Sequence, residues 1–129
     1  MPSELPPEEP PHLGAWALQV TLAGIFVVLG AATLAQVPAV VDSIDQVGLG
    51  RAFRVGVGVV ELVGAAAIAM PDIAVLGALW LAAAMVFAVL IHLYILQDDP
   101  TRPVVLMLLC ALVAVLRGDQ VLGSRRRWR

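Results

Sequence analysis

Four long apolar stretches, separated by prolines and short polar links, constrain the fold of this chain more than any other feature. They cover residues 13–37, 53–70, 73–96 and 103–122. A helix needs about 20 apolar residues to cross the roughly 30 Å hydrocarbon layer of a bilayer, and all four stretches are close to that length. The sequence therefore predicts four membrane-spanning helices in one domain, residues 13–122.

The links between these stretches set the helix directions. Pro71 and Asp72 separate the second stretch from the third, and "QDDPTRP" (97–103) separates the third from the fourth. Links of this length join antiparallel neighbours. We therefore expect an all-α protein, an antiparallel four-helix transmembrane bundle.

The composition agrees with this class and places most charge at the ends. Of the 129 residues, 60% are hydrophobic and 14% charged, and the mean hydropathy is +0.92; all three values are typical of membrane proteins. Residues 1–12 are rich in proline and glutamate, which predicts a disordered tail. Residues 123–129 form a basic tail that is too short for a nucleic-acid-binding module and is expected to contact anionic lipid. Its arginines are Arg125, Arg126, Arg127 and Arg129.

The arginine distribution predicts the topology. Arg117 and the four tail arginines lie at one side of the bundle, whereas Arg51, Arg54 and Arg102 lie at the other. Cytoplasmic loops carry the excess of basic residues in membrane proteins. We expect a multi-pass protein of the cell membrane with both termini in the cytoplasm.

The segment 38–52, "PAVVDSIDQVGLGRA", is too polar to span the bilayer. Val40, Val41, Ile44 and Val47 repeat at helical spacing with polar residues between them. This pattern suits a short amphipathic helix lying in the membrane interface. A loop with a few apolar residues fits the same sequence equally well.

An acidic residue lies inside the second stretch, in "GVGVVELVGAAAIAM" (56–70). The helical neighbours of Glu61 are Gly58, Gly64 and Ala65, and small residues mark the faces where membrane helices approach closely. Glu61 is therefore expected to point into the bundle. An ionised carboxylate there would cost at least about 2.5 kcal/mol, so the group should be protonated or paired.

His92 is expected to share this level of the bundle. At 1.5 Å per residue, Glu61 lies about 12 Å and His92 about 7–8 Å below the same face. The two form a candidate intramembrane polar site, which can serve as a proton, quinone or ligand site. Two alternatives stay open: interhelical hydrogen bonds worth about 0.6 kcal/mol each, or separate roles for the two residues.

Other polar residues are weaker candidates. Cys110 lies about 10 Å deep by the same rise per residue, but a free cysteine in an apolar helix usually acts as a small hydrophobic side chain. Gln19 and Thr21 are expected to form interhelical hydrogen bonds. The sequence contains no metal-binding cluster, nucleotide-binding motif or nucleophile–base motif.

The order of these features resembles the DoxX-like family of small four-helix membrane proteins. The second helix carries a G-x-x-E-x-x-G core at Gly58, Glu61 and Gly64, and the third helix ends in Ala and His. "DDPTRPVVLMLLCALVAVLR" is similar to the family's Asp-Pro linker and Leu-rich last helix. The resemblance covers residues 13–117.

The resemblance implies a bundle related to the membrane subunit of thiosulfate:quinone oxidoreductases and to subunits of oxidative-stress membrane complexes. More distant relatives are eukaryotic receptor-assembly chaperones and cargo receptors. Glu61 and His92 match positions that the family pattern marks. Arg51 or Arg54 corresponds to the basic residue that often follows the family's first helix.

Two functions follow as hypotheses. The first is a non-enzymatic accessory or assembly subunit of a membrane complex, including a redox-linked one, which needs no cofactor and contacts a membrane-protein partner or a second copy. The alternative is a quinone-linked oxidoreductase subunit in which Glu61 and His92 handle protons. A small transporter is disfavoured, because four helices without repeats or broken spans offer little for alternating access.

Overall fold

A computed structural model of the chain describes residues 13–126, apart from the side chains of residues 120, 121 and 123–126. The described part is helical and contains no strand. The predicted tail at residues 1–12 and residues 127–129 lie outside the described residues. The helices are α1 (Leu13–Leu34), α2 (Pro38–Asp45), α3 (Gly50–Ala69), α4 (Ala74–Ile91) and α5 (Thr101–Arg126).

The four long helices form an antiparallel bundle. α1 packs mainly on α3, α3 on α4 and α4 on α5, and a smaller contact between α1 and α5 closes the ring. The short α2 packs on α1 and α3. We call the end that holds α2 and the link after α4 the α2 end, and the opposite end the termini end. The prediction of an all-α four-helix bundle is confirmed, and all four long helices are apolar enough to cross a membrane.

Glycines allow two of these helix contacts. A Cβ atom added to Gly30 of α1 would lie 3.0 Å from the carbonyl oxygen of Gly58 in α3. A Cβ atom added to Gly77 of α4 would lie 2.6 Å from the backbone nitrogen of Ile68 in α3. The helix backbones therefore touch directly, as they do where small residues face each other in membrane bundles.

The termini half of the bundle is closely packed. Its buried core includes Phe26, Leu22, Ile68 and Leu81. Gln19 is fully buried, and its side-chain amide donates a hydrogen bond to the Ile68 carbonyl oxygen at 2.6 Å. The interhelical hydrogen bond expected of Gln19 is confirmed. The same expectation for Thr21 is wrong, because that side chain lies on the exposed surface of α1.

The helix boundaries differ slightly from those predicted. α1 ends at Leu34, three residues early, because Gln36 adopts a left-handed conformation with φ 61°. The next segment does form a helix, with proline in its first turn, where the missing backbone N–H costs nothing. Gly48 and Gly50, with φ of 78° and 76°, make the turn into α3.

Candidate functional site

A cavity of about 650 Å³ lies between the helices at the α2 end. All five helices contribute to its walls, and most of the lining side chains are apolar. Its volume and composition are those of a site for a small organic molecule. The polar side chains in its walls are Thr33, Ser43, Glu61, His92 and Arg102.

The cavity exists because α3 and α4 separate toward the α2 end. In the termini half, Gly77 lies against the backbone of α3, and a Cβ atom added to Gly64 would lie 2.4 Å from the Leu81 side chain. Further along the same faces, Val57 of α3 and Ile91 of α4 line the cavity. Close packing thus gives way to an open interior.

Glu61 is the acidic side chain of this cavity. It is 9% exposed, so it lies inside the bundle as its small-residue face predicts. One carboxyl oxygen, Oε2, has no hydrogen-bond partner among the described residues. The Thr33 hydroxyl lies next to the carboxyl and donates its own proton to the Leu29 carbonyl oxygen at 2.8 Å.

The nearest basic residue on the same helix does not neutralise Glu61. The Arg54 guanidinium forms an ion pair with Asp45 at 2.5 Å, which ties α3 to α2. Among the described residues, Glu61 forms no ion pair within 4.0 Å. A buried charge without an ion pair is costly in a bilayer, so the neutral acid is the less costly form here.

His92 lies where α4 ends and a π-helical turn, His92–Leu96, begins. Its Nδ1 lies 2.8 Å from the Ala88 carbonyl oxygen. A carbonyl can only accept a hydrogen bond, so Nδ1 carries a proton, and the neutral form of the ring has a lone pair on Nε2. Turns of π-helix often occur at functional sites. The apolar stretch 73–96 predicts uninterrupted α-helix at this point, and the π-helical turn departs from that prediction.

The structure brings Glu61 and His92 into the wall of one cavity. Glu61 lies beside Thr33, and the Nδ1 of His92 lies beside the Ala88 carbonyl oxygen. A molecule inside the cavity can therefore contact both residues without displacing the bond between His92 and Ala88.

The weaker candidates lie elsewhere. Cys110 is fully buried among apolar side chains of the core and does not line the cavity. Arg54 joins α2 to α3 through Asp45. The side chains of Arg125 and Arg126 lie outside the described residues, as do Arg127 and Arg129 entirely. Across residues 13–126, no three His, Cys, Asp or Glu side chains are grouped to hold a metal ion.

Arg102 lines the cavity, although its place in the sequence does not mark it as a site residue. It is the second residue of α5. The start of that helix is held by Asp99, whose Oδ1 accepts hydrogen bonds from the Thr101 amide at 3.0 Å and from the Thr101 hydroxyl. These bonds hold the pKa of the Asp99 carboxyl below its ordinary value. The only signal in the sequence was the Asp-Pro-Thr-Arg order, which is typical of a helix start.

Four apolar helices of membrane-spanning length around a mainly apolar cavity define an integral, multi-pass helical membrane protein. The chain belongs to the DoxX-like family, whose sequence model matches residues 17–116. That match includes most of all four long helices, and it confirms the resemblance carried by the Gly58, Glu61 and Gly64 motif. Neither a curated protein nor a solved structure matches the chain.

Proposed function

We propose that this protein is a quinone-binding membrane subunit of a redox-linked complex. The cavity holds the quinone headgroup, Glu61 and His92 contact its oxygens, and a partner protein in the same membrane exchanges electrons with it. The observation that carries the proposal is that Glu61, which has one buried carboxyl oxygen without a hydrogen-bond partner among the described residues, lines the same cavity as His92.

The chemistry of the two residues suits both states of such a ligand. A quinone accepts hydrogen bonds at its two oxygens, and a protonated Glu61 can donate one. A quinol donates hydrogen bonds, and the Nε2 lone pair of neutral His92 can accept one. Reduction of a quinone to a quinol takes up two electrons and two protons. Groups beside the ring oxygens can supply these protons during reduction and accept them during oxidation.

The size and lining of the cavity fit a substituted aromatic ring. Phe53, Met85 and Phe87 contribute to the walls, and thioether and aromatic side chains make favourable contacts with flat rings. With both termini in the cytoplasm, as the arginine count predicts, the ring would bind near the outer face of the membrane.

A purely structural role for Glu61 is less well supported. A structural glutamate would be expected to satisfy its buried oxygens, because an unsatisfied buried polar atom costs about 1–3 kcal/mol. Gln19 at the other end of the bundle also has one buried oxygen, Oε1, without a hydrogen-bond partner in the described part of the chain, but it does not line the cavity, so the feature that distinguishes Glu61 is its place in the cavity wall. An accessory or assembly subunit also has no need of a cavity of about 650 Å³.

Binding of a decyl-tailed benzoquinone to the purified protein in mild detergent tests the proposal. We expect Glu61→Leu to weaken binding about tenfold, which corresponds to one lost hydrogen bond of about 1.4 kcal/mol. Glu61→Gln should keep more of the affinity, because its amide still donates. Gln19→Leu is the matched control, since it removes a buried polar group that does not line the cavity.

Two results would contradict the proposal. The first is equal affinity of the wild type and Glu61→Leu for the quinone. The second is no quinone binding at all together with a protein partner that co-purifies in fixed stoichiometry, which would support the accessory role instead.

A further inference from the structure

The two helices that line most of the cavity leave a gap between them. Near the termini end, Gly77 contacts the backbone of α3 at Ile68. Toward the α2 end, Gly56 of α3 and Phe87 of α4 both line the cavity. We call this region the α3–α4 gap.

The α3–α4 gap is open to the outer surface of the bundle. The Phe87 side chain is 58% exposed although it lines the cavity. Gly56 is also exposed, and a Cβ atom added to it would meet no other atom within 4 Å. A residue that belongs both to a cavity wall and to the outer surface marks an opening, and the outer surface here faces lipid.

Trp80 closes the gap on the side of the termini end. Its indole N–H donates a hydrogen bond to the Val60 carbonyl oxygen at 3.1 Å, which bridges α4 and α3. The opening therefore begins about two turns further along α4, at Phe87, as the helix rise of 1.5 Å per residue implies.

The α2 end of the cavity is partly covered by α2. Val40 and Ile44 of this helix line the cavity, and the Arg54–Asp45 ion pair holds α2 on α3. Two polar side chains at the same end, Ser43 and Arg102, line the cavity and are exposed. An entering molecule thus meets polar side chains from the aqueous side and an apolar opening from the lipid side.

We propose that the cavity is loaded from the bilayer through the α3–α4 gap, and that the bound molecule keeps an apolar tail in this gap. The ligand class is then a long-tailed, membrane-dissolved quinone and not a water-soluble one. The identity of the headgroup rests on the proposed function, whereas the route rests on the geometry of α3 and α4. Only the headgroup leaves the hydrocarbon phase on binding, so the tail contributes contacts without losing its apolar surroundings.

Binding of two quinones to two matched glycine variants tests the route. One quinone carries a decyl tail, and the other has the same ring without a tail. Gly56→Phe places a side chain in the gap, and we expect it to weaken binding of the tailed quinone at least about tenfold, as small steric changes in apolar pockets do. The tailless quinone should bind Gly56→Phe within about threefold of wild type, because it lacks the part that meets the new side chain.

Gly24→Phe is the control. Gly24 lies exposed on α1, and an added Cβ atom there also meets nothing within 4 Å. This variant should bind both quinones as the wild type does. A quinone with a photoreactive group at the end of its tail provides a measurement that needs no variant, and its cross-links should map to α3 and α4 near Gly56 and Phe87.

The outcomes separate the two proposals. If both quinones bind the wild type, but Gly56→Phe does not distinguish them and the cross-links map to α1 or α5, the route is overturned and the proposed function stands. If neither quinone binds the wild type, the proposed function fails and the ligand class fails with it.

Discussion

At the scale of single residues, the buried polar groups of this bundle are satisfied to different degrees. Gln19 donates to a carbonyl oxygen of another helix, and Thr33 donates to its own helix at Leu29. Glu61 Oε2 and Gln19 Oε1 both lack a hydrogen-bond partner among the described residues, but of these two residues only Glu61 lines the cavity. Ligand-binding residues often have buried polar atoms without a hydrogen-bond partner, and these atoms lower the free energy of unfolding of the protein.

Replacement of these groups by leucine should therefore change stability in opposite directions. Glu61→Leu removes an unsatisfied buried acid, and we expect it to raise the free energy of unfolding by about 1 kcal/mol. Gln19→Leu breaks the bond between α1 and the Ile68 carbonyl oxygen, a loss that removal of its unpaired Oε1 offsets only in part, and should lower the free energy of unfolding by about 1 kcal/mol. Thermal unfolding in detergent measures both. Destabilisation by Glu61→Leu as large as that by Gln19→Leu would mean that the carboxyl is a structural group.

The Asp99 carboxyl should titrate below its ordinary pKa of 3.8 because Thr101 donates hydrogen bonds to its charged form. A carboxyl whose pKa is lower in the folded protein than in the unfolded chain stabilises the fold at any pH above its unfolded pKa. This contribution is lost as the pH falls through the folded pKa. Thr101→Val removes the side-chain donor and should raise the Asp99 pKa toward 3.8, whereas Thr101→Ser should not. The carboxyl carbon shift in an NMR titration measures this, and equal midpoints in the two variants would disprove the role of the hydroxyl.

Sequence reasoning identified Glu61 and His92 but not their immediate surroundings. The direction of Glu61 followed from small residues on its own helix, which a sequence displays directly. Its neighbour Thr33 lies on a different helix, and the turn of α1 that faces α3 depends on the contact between Gly30 and Gly58. Arg102 faces the cavity because of where α5 begins, and apolar periodicity defines helix ends poorly.

At the scale of helices, glycine contacts determine which parts of the bundle close. Gly77→Ala places a methyl group 2.6 Å from the backbone nitrogen of Ile68. Backbone atoms must shift to accept it, so we expect a loss of about 1–3 kcal/mol of stability. Gly24→Ala is the control, because it meets open space and should stabilise the helix by up to about 1 kcal/mol. Thermal unfolding midpoints compare the two, and equal midpoints would contradict the close contact of α3 and α4.

The helices were easier to predict than their junctions. Four spans could be located from length and hydropathy, because a bilayer requires about 20 apolar residues per crossing. The π-helical turn at His92–Leu96 left no signal, since lipid-facing helices are apolar on most sides and their periodicity is weak. The cavity could not be predicted either. It depends on where α3 and α4 diverge, which is a property of packing between helices.

At the scale of the whole molecule, the arginines are distributed unequally between the two ends. Three of the eight lie at the α2 end, namely Arg51, Arg54 and Arg102. The other five follow residue 116 in the sequence. Arg117, the first of those five, lies over the Trp16 ring with its guanidinium carbon 5.1 Å from the ring centre, which joins α5 to α1. The imbalance predicts that the termini end faces the cytoplasm and the α2 end faces outward.

Cysteine labelling with a membrane-impermeant reagent tests this orientation. Cys110 is fully buried, and Cys110→Ala removes it from the experiment. We expect a Ser124→Cys variant to react only after cell lysis, and a Gln46→Cys variant, which lies exposed after α2, to react in intact cells. The opposite pattern would reverse the topology, and it would place the mouth of the cavity, with Glu61 and His92, in the cytoplasmic leaflet.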